Sequence, residues 1–327
     1  MKSVKRILSL ILCAATLLLC ACGGTGAPQE STEATTTQET IDRNAPLSDG
    51  KTLKLLAITS SFGLNTTQLL YDVAKAEGCT DVVVARLYGS GCTLAKHVEN
   101  ATTNANYYQY TKISSGSYDT IESATLDYGL KDEEWDIIFI QQSAAKAGIK
   151  ESYGDYIDQL MTYVQANKTN PNARFVWNLT WAYQGDSDQE VFTTVYKSNQ
   201  MDMYNAIVDA TKTYVLDRTD FDRIIPSGTV IQNARTSTVF GDTLCKDTYH
   251  LNNYGGILAA YGLYAMLTGT TLTEINLDAV AASSNGIGGA DKILTPLTDA
   301  QKAVIIESVN NAIANPFEVT QSTYAEG

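Results

Sequence analysis

Leu53-Lys54-Leu55-Leu56-Ala57-Ile58 passes directly into Thr59-Ser60-Ser61-Phe62-Gly63. An apolar run this short and this nearly continuous reads as a strand buried on both faces, the kind found in parallel sheets. Beyond the turn, Leu69, Leu70, Val73 and Ala74 keep helical spacing, so the segment reads strand, turn, helix. The alternation continues along the chain. Strand signals recur at Asp81 to Leu87, Trp135 to Ile140, Ala173 to Leu179 and Arg223 to Pro226. Helical patterns fall at Thr66 to Glu77, Tyr153 to Asn167, Gln200 to Leu216 and Asn253 to Leu267, with a further packing helix at Asp299 to Ala314. Strands alternating with helices predict an α/β fold, a three-layer doubly wound sandwich around a mainly parallel sheet of about five strands.

Parallel strands carry the residues that follow them to one rim, and in open α/β sheets ligands bind at that rim. Ser60 and Ser61 follow the first strand, Tyr88-Gly89-Ser90-Gly91-Cys92 the second, Gln141-Gln142-Ser143 the third, and Thr180-Trp181-Ala182-Tyr183 the fourth. A serine after a strand can equally cap the next helix. Late in the chain, Asp247-Thr248-Tyr249-His250-Leu251-Asn252 holds one of only two histidines, three residues after an aspartate. Imidazole exchanges protons near neutral pH, and an acidic neighbour fixes its tautomer and stabilises its charged form. Together with a rim serine, the pair has the parts of an esterase. The other histidine, His97, reads as a structural or substrate-side polar residue rather than a second base.

The first residues bear on compartment. Lys2, Lys5 and Arg6 precede an uncharged run from Ile7 to Ala21, the shape of a secretory signal and short for a spanning helix. Its end, Leu19-Cys20-Ala21-Cys22-Gly23, resembles a bacterial lipobox, which predicts lipidation at Cys22 after removal of residues 1–21 and anchorage to the outer face of a bacterial cell membrane. Residues 22–50 are rich in Thr, Glu, Gln, Ser, Gly and Pro and nearly free of large apolar side chains, so they are expected to be a disordered tether with ends roughly 30 Å apart. Residues 51–327 then form a single domain.

Loss of the three basic leader residues takes the formal net charge from -13 to about -16. An acidic chain without a basic, aromatic-interleaved patch is a poor nucleic-acid binder, and its surface favours a neutral substrate. Cys79, Cys92 and Cys245 remain besides Cys22. No Cys-x-x-Cys spacing points to zinc, and no metal or organic cofactor is expected. Buried free thiols and a disulfide between Cys92 and Cys245 near the site are both open.

In the order of these rim residues the chain resembles the SGNH hydrolase superfamily, the GDSL-like esterases and lipases, from about Leu53 to Tyr264. That superfamily carries a serine in its first block, glycine in its second, asparagine in its third and Asp-x-x-His in its fifth. The matches are Ser61, Gly91, the pair Gln141-Gln142 in place of asparagine, and Asp247 with His250. Gly91-Cys92-Thr93-Leu94, Gln141-Gln142-Ser143-Ala144, Trp181-Ala182-Tyr183 and Pro226-Ser227-Gly228 are similar to segments of a poorly characterised branch of it. Ser61 is preferred to Ser60 because Phe62 follows it, as in that branch. Thr59-Ser60-Ser61 departs from the pattern, which has glycine, then aspartate or asparagine, then serine.

The resemblance implies a flavodoxin-like fold and a serine esterase. Ser61 would be the nucleophile, His250 the base and Asp247 its orienter. The oxyanion donors would be the backbone N–H groups of Ser61 and Gly91 and the side-chain amide of Gln142, with Gln141 as substitute. Gln142 could instead hold a loop. Trp181, Tyr183, Gln232, Asn233 and Arg235 are expected to shape the substrate pocket, and Tyr107-Tyr108-Gln109-Tyr110 to lie in a long insertion that is either a lid or a loop covering the sheet. The substrate expected is a small ester or a glycan ester, with acetyl as the expected acyl group. A binding lipoprotein with impaired catalysis and an acyltransferase using the same triad are the alternatives.

Overall fold

The computed structural model describes residues 45–277 and 296–325, all within one compact unit, Ile41–Gly327. The expected leader, Cys22 and the tether as far as residue 44 lie outside the described residues. The end of the expected tether does not. Leu47 packs against the core, and the N–H groups of Leu47 and Ser48 both donate to the Leu267 carbonyl, at 2.7 and 3.0 Å. The folded body therefore begins a few residues before 51.

Seven strands form one mixed sheet: β1 Thr52–Thr59, β2 Asp81–Tyr88, β3 Tyr108–Ser114, β4 Ser117–Ala124, β5 Ile137–Ile140, β6 Arg174–Asn178 and β7 Arg223–Ile225. Their order is β4-β3-β2-β1-β5-β6-β7. The pairings β2-β1, β1-β5, β5-β6 and β6-β7 are parallel, and these are the five strands expected from the apolar runs. Set apart from the hairpin, they follow the flavodoxin-like order, with the switch point between β1 and β5.

The correction to a five-stranded sheet is the antiparallel hairpin β3-β4 on the outer edge of β2. It occupies the stretch expected to be a lid or covering loop. Tyr108, Tyr110 and Ile113 of β3 are buried, and the chain reverses at Ser115-Gly116, with φ of 50° and 78°. Positive φ at both central positions is what a two-residue hairpin turn requires.

Side chains alternate along β1 between two cores. Leu53, Leu55 and Ala57 face the first, while Leu56 and Ile58 face the second. The helices α1 Ser61–Thr67, α2 Leu70–Ala76, α8 Ser227–Arg235, α9 Asn253–Thr268 and α10 Asp299–Ala314 cover the first. The second is covered by α3 Leu94–Thr103, α4 Leu126–Lys131 and α5 Tyr156–Asn167. The short α6 Glu190–Thr194 and the longer α7 Gln200–Tyr214 complete the described α-helices. Among the described residues, no helix is long and apolar enough to cross a membrane.

The helix expected over Thr66 to Glu77 is two helices. The Thr66 and Thr67 hydroxyls donate to the carbonyls of Phe62 and Gly63, four residues back, at 3.1 and 2.7 Å. Hydroxyls returned to the preceding turn bend helices, and the axis breaks immediately afterwards at Gln68-Leu69. Short α1 packs against β1 and begins with Ser61 at the rim.

Candidate active site

β1 ends at Thr59, still paired with Tyr88 of β2. Ser60 is extended, with φ -106° and ψ -165°, and Ser61 is the first helical residue. Thr59, where glycine was expected, leaves this turn regular. It is fully buried, and its hydroxyl donates to the Ser60 carbonyl at 3.0 Å. The space for it comes from Gly63, because a β-carbon at residue 63 would collide with the Thr59 side chain.

The two serines differ in environment. Ser60 is 1% exposed, and its hydroxyl accepts from the Gln141 amide at 3.2 Å. The Gln141 carbonyl in turn accepts from Asn178 at 2.9 Å, so a buried polar chain crosses β1, β5 and β6 beneath the turn. Ser61 is half-buried at the surface of that turn.

The next residue, Phe62, stands edge-on to the His250 ring at 6.0 Å, and Asn65 of the same helix accepts from the Leu251 N–H at 3.2 Å. These contacts bring the Ser61 helix and the His250 segment together, although no hydrogen bond joins the Ser61 hydroxyl to His250. Catalytic hydrogen bonds are often long without substrate and tighten when it binds.

Asp247 and His250 form the expected pair. His250 Nδ1 lies 2.7 Å from Asp247 Oδ2, while the His250 backbone N–H donates to Asp247 Oδ1 at 2.8 Å. Partial burial pushes the Asp247 carboxyl up, but these hydrogen bonds outweigh it and leave its pKa below the ordinary value. With Nδ1–H held by Asp247, Nε2 is the nitrogen that can accept a proton.

Thr248 between them has φ of 70°, an unfavourable conformation for a β-branched residue. Its surroundings hold it there. The Gln184 N–H donates to the Thr248 carbonyl at 2.8 Å, the Thr248 hydroxyl donates to Ser187 at 3.0 Å, and the Gln184 side chain accepts from the Cys245 N–H at 2.8 Å.

Gly91 is exposed in the turn after β2, with φ of 59° that glycine adopts without strain. The loop is tied to the serine turn through Gly89, whose N–H donates to the Thr59 carbonyl at 3.0 Å.

Gln142 does not join the site. Its carbonyl accepts from the N–H groups of Leu94 and Ser143, and its amide donates to the carbonyl and hydroxyl of Ser152, each at 3.1 Å. Gln142 thus closes a loop, and Gln141 is the amide beside the serine turn.

The residues expected to line a pocket lie behind it. Trp181 is fully buried, stacked on Phe62 with 4.1 Å between centroids, and its indole N–H donates to the Tyr249 carbonyl at 2.8 Å. It is a strut between the neighbour of the serine and the neighbour of the histidine. Tyr183, 3% exposed, fills the space between Phe62 and Tyr249.

Gln232 donates to Gln200 at 2.9 Å, and Asn233 is buried and bonded to Ser308 and Thr320. Arg235 donates to the Ala182 carbonyl at 2.9 Å and pairs with Asp242 at 2.8 Å. A cation so deeply buried requires such partners, and here they brace the rim loops.

His97 is fully buried on α3. Its Nδ1 lies 2.8 Å from the Tyr108 hydroxyl and 3.5 Å from Cys92 Sγ, and burial drives its pKa down to about 3. Cys79, Cys92 and Cys245 are all free, so the Cys92–Cys245 disulfide is not formed.

A carboxylate-paired imidazole thus lies beside a serine turn at the carboxyl rim of an α/β protein's doubly wound sheet, near its switch point. Residues 54–283 match a family model described as a domain of unknown function, DUF4886, and the chain belongs to that family. It is similar to the crystal structure of a DUF4886 family protein from Bacteroides uniformis ATCC 8492, with 33% identity, a TM-score of 0.71, and coverage of 84% of this chain and 99% of that one.

Two remoter likenesses are a proposed SGNH hydrolase from Slackia heliotrinireducens and a gut microbial diltiazem-metabolizing enzyme. The first has 18% identity, a TM-score of 0.39 and coverage of 66% of this chain and 100% of that one. The second has 11% identity, a TM-score of 0.43 and coverage of 70% and 50%. No curated protein matches the chain.

Proposed function

We propose that this protein is an extracytoplasmic serine esterase, lipid-anchored through Cys22, that removes acyl groups, acetyl foremost, from a carbohydrate or small ester. The observation that carries the reading is the His250–Asp247 pair, 2.7 Å between Nδ1 and Oδ2, on a segment bonded directly to the helix that begins at Ser61.

In the proposed reaction Ser61 Oγ attacks the ester carbonyl carbon as its proton passes to His250 Nε2, and the carbonyl oxygen becomes an oxyanion facing the N–H groups of Ser61 and Gly91. Collapse breaks the bond from carbon to the alcohol oxygen, which takes the proton from Nε2. Water then forms the new bond to the acyl carbon while its proton goes to Nε2, and the Ser61 ester breaks with return of that proton to Oγ. Asp247 holds the Nδ1 tautomer throughout and stabilises the imidazolium. Gln141 supports the turn through Ser60.

The test is hydrolysis of p-nitrophenyl acetate and butyrate by the purified protein beside its Ser61→Ala and His250→Ala variants. Turnover lost in both variants, with folding intact, supports the reading. Turnover equal in all three overturns it.

A further inference from the structure

The leaving alcohol of such a reaction receives its proton from His250 Nε2, so it must lie against whatever borders that ring. Of the rings beside it, Phe62 is fully buried, and the nearer is Tyr249, whose centroid is 4.0 Å from that of His250, with 39° between the planes. Tyr249 is half-exposed, and its position is fixed from behind. Its ring leans on buried Tyr183 at 5.5 Å, its carbonyl is held by the Trp181 indole, and the Thr248 carbonyl before it is held by Gln184. A half-exposed aromatic ring fixed beside the proton donor is pre-organised to bind without losing side-chain freedom.

We propose, resting on the esterase reading, that Tyr249 is the floor of a subsite for the alcohol half of the ester and that this alcohol is a sugar ring, stacked by its apolar face on the phenol. Two features select a sugar over an alkyl chain. The rim around Tyr249 is open to water: His250 is half-exposed, and Ser90 and Gly91 of the facing loop are exposed. A sugar keeps its hydroxyls in that water, whereas a long alkyl chain gains little without enclosure.

The second feature is Tyr88, at the end of β2 and paired with Thr59. Tyr88 is half-buried where β2 ends beside the serine turn, so a second phenol stands at the same carboxyl rim. A ring that also offers a hydroxyl suits a ligand with an apolar face and polar edges.

The experiment compares kcat/KM for three acetates of primary alcohols whose leaving groups are chemically alike: a methyl glucoside acetylated on its primary hydroxyl, ethyl acetate and decyl acetate. They are run on the wild type, Tyr249→Ala, Tyr249→Phe and Ser61→Ala. The glucoside-to-ethyl ratio is expected to fall about ten-fold in Tyr249→Ala and to stay within about two-fold of wild type in Tyr249→Phe, which keeps the ring. A ratio unchanged in Tyr249→Ala, whether both substrates slow together or neither does, overturns the subsite while leaving the esterase reading standing. Wild-type preference for decyl acetate over the glucoside overturns the sugar assignment. Absence of any Ser61-dependent hydrolysis overturns the esterase reading and the subsite with it. Should Tyr249→Ala melt early, the wild-type substrate order and the Tyr249→Phe ratio still decide.

Discussion

The chain's two histidines occupy opposite environments. His250 keeps 21% of its side chain exposed and has an aspartate on Nδ1. His97 has no exposure; a phenol and a thiol meet its Nδ1, and its Nε2 has no partner. Desolvation therefore makes the charged form of His97 costly, and its pKa falls to about 3. One ring is paired with a carboxylate at the rim, and the other is held neutral by burial. Their surroundings make the difference, since the side chain is the same.

The largest effect that sharpens this contrast is on turnover. His250→Ala should lower kcat for ester hydrolysis by roughly a thousand-fold or more with little change in stability, measured by steady-state kinetics beside urea denaturation. His97→Ala should do the reverse, costing about 2–3 kcal/mol of stability through the cavity left against Tyr108 and Cys92. A comparable loss of turnover in a folded His97→Ala would break the contrast.

Next comes Asp247→Asn. It removes the carboxylate that holds Nδ1 and should lower kcat about a hundred-fold or more, while near-ultraviolet circular dichroism stays native. The serine turn supplies a smaller effect. Gly63→Ala should cost about 1–3 kcal/mol by driving a methyl group into Thr59, and Thr59→Gly in the same chain should recover most of it in thermal melts.

The last effect is on pH. The folded-state pKa of His97 lies below its ordinary 6.5, so between that value and about 3 the unfolded chain binds a proton that the folded one does not. Its contribution to stability is present above pH 6.5 and is lost as pH falls toward 3. Urea midpoints across that range should decline less steeply in His97→Gln than in the wild type.

Much of this was visible in the residues. The five parallel strands were legible because both their faces are buried, which makes them continuous apolar runs such as Leu53 to Ile58. The hairpin was not, because Ser117 to Ser123 of β4 are exposed on both faces and carry no alternation; only Ser115-Gly116 marked its turn. Ser61, Asp247 and His250 were named from a family resemblance, and the structure pairs the last two.

Choosing between Gln141 and Gln142 could not be done that way. The outcome depends on which amide meets Ser152, a contact ten residues away that no spacing rule encodes. Trp181, Tyr183 and Arg235 were read as ligand-facing because aromatic and cationic side chains often are. Burial turned them into supports, and the half-exposed aromatic beside His250 was Tyr249, inside the Asp-x-x-His segment itself.

The central claim is that Ser61 is a nucleophile activated by His250, and a fluorophosphonate probe tests it most directly. Peptide mass mapping of the labelled protein should place one adduct on Ser61, and His250→Ala should suppress it strongly. An adduct on buried Ser60, or labelling of Ser61 indifferent to His250, would contradict the account.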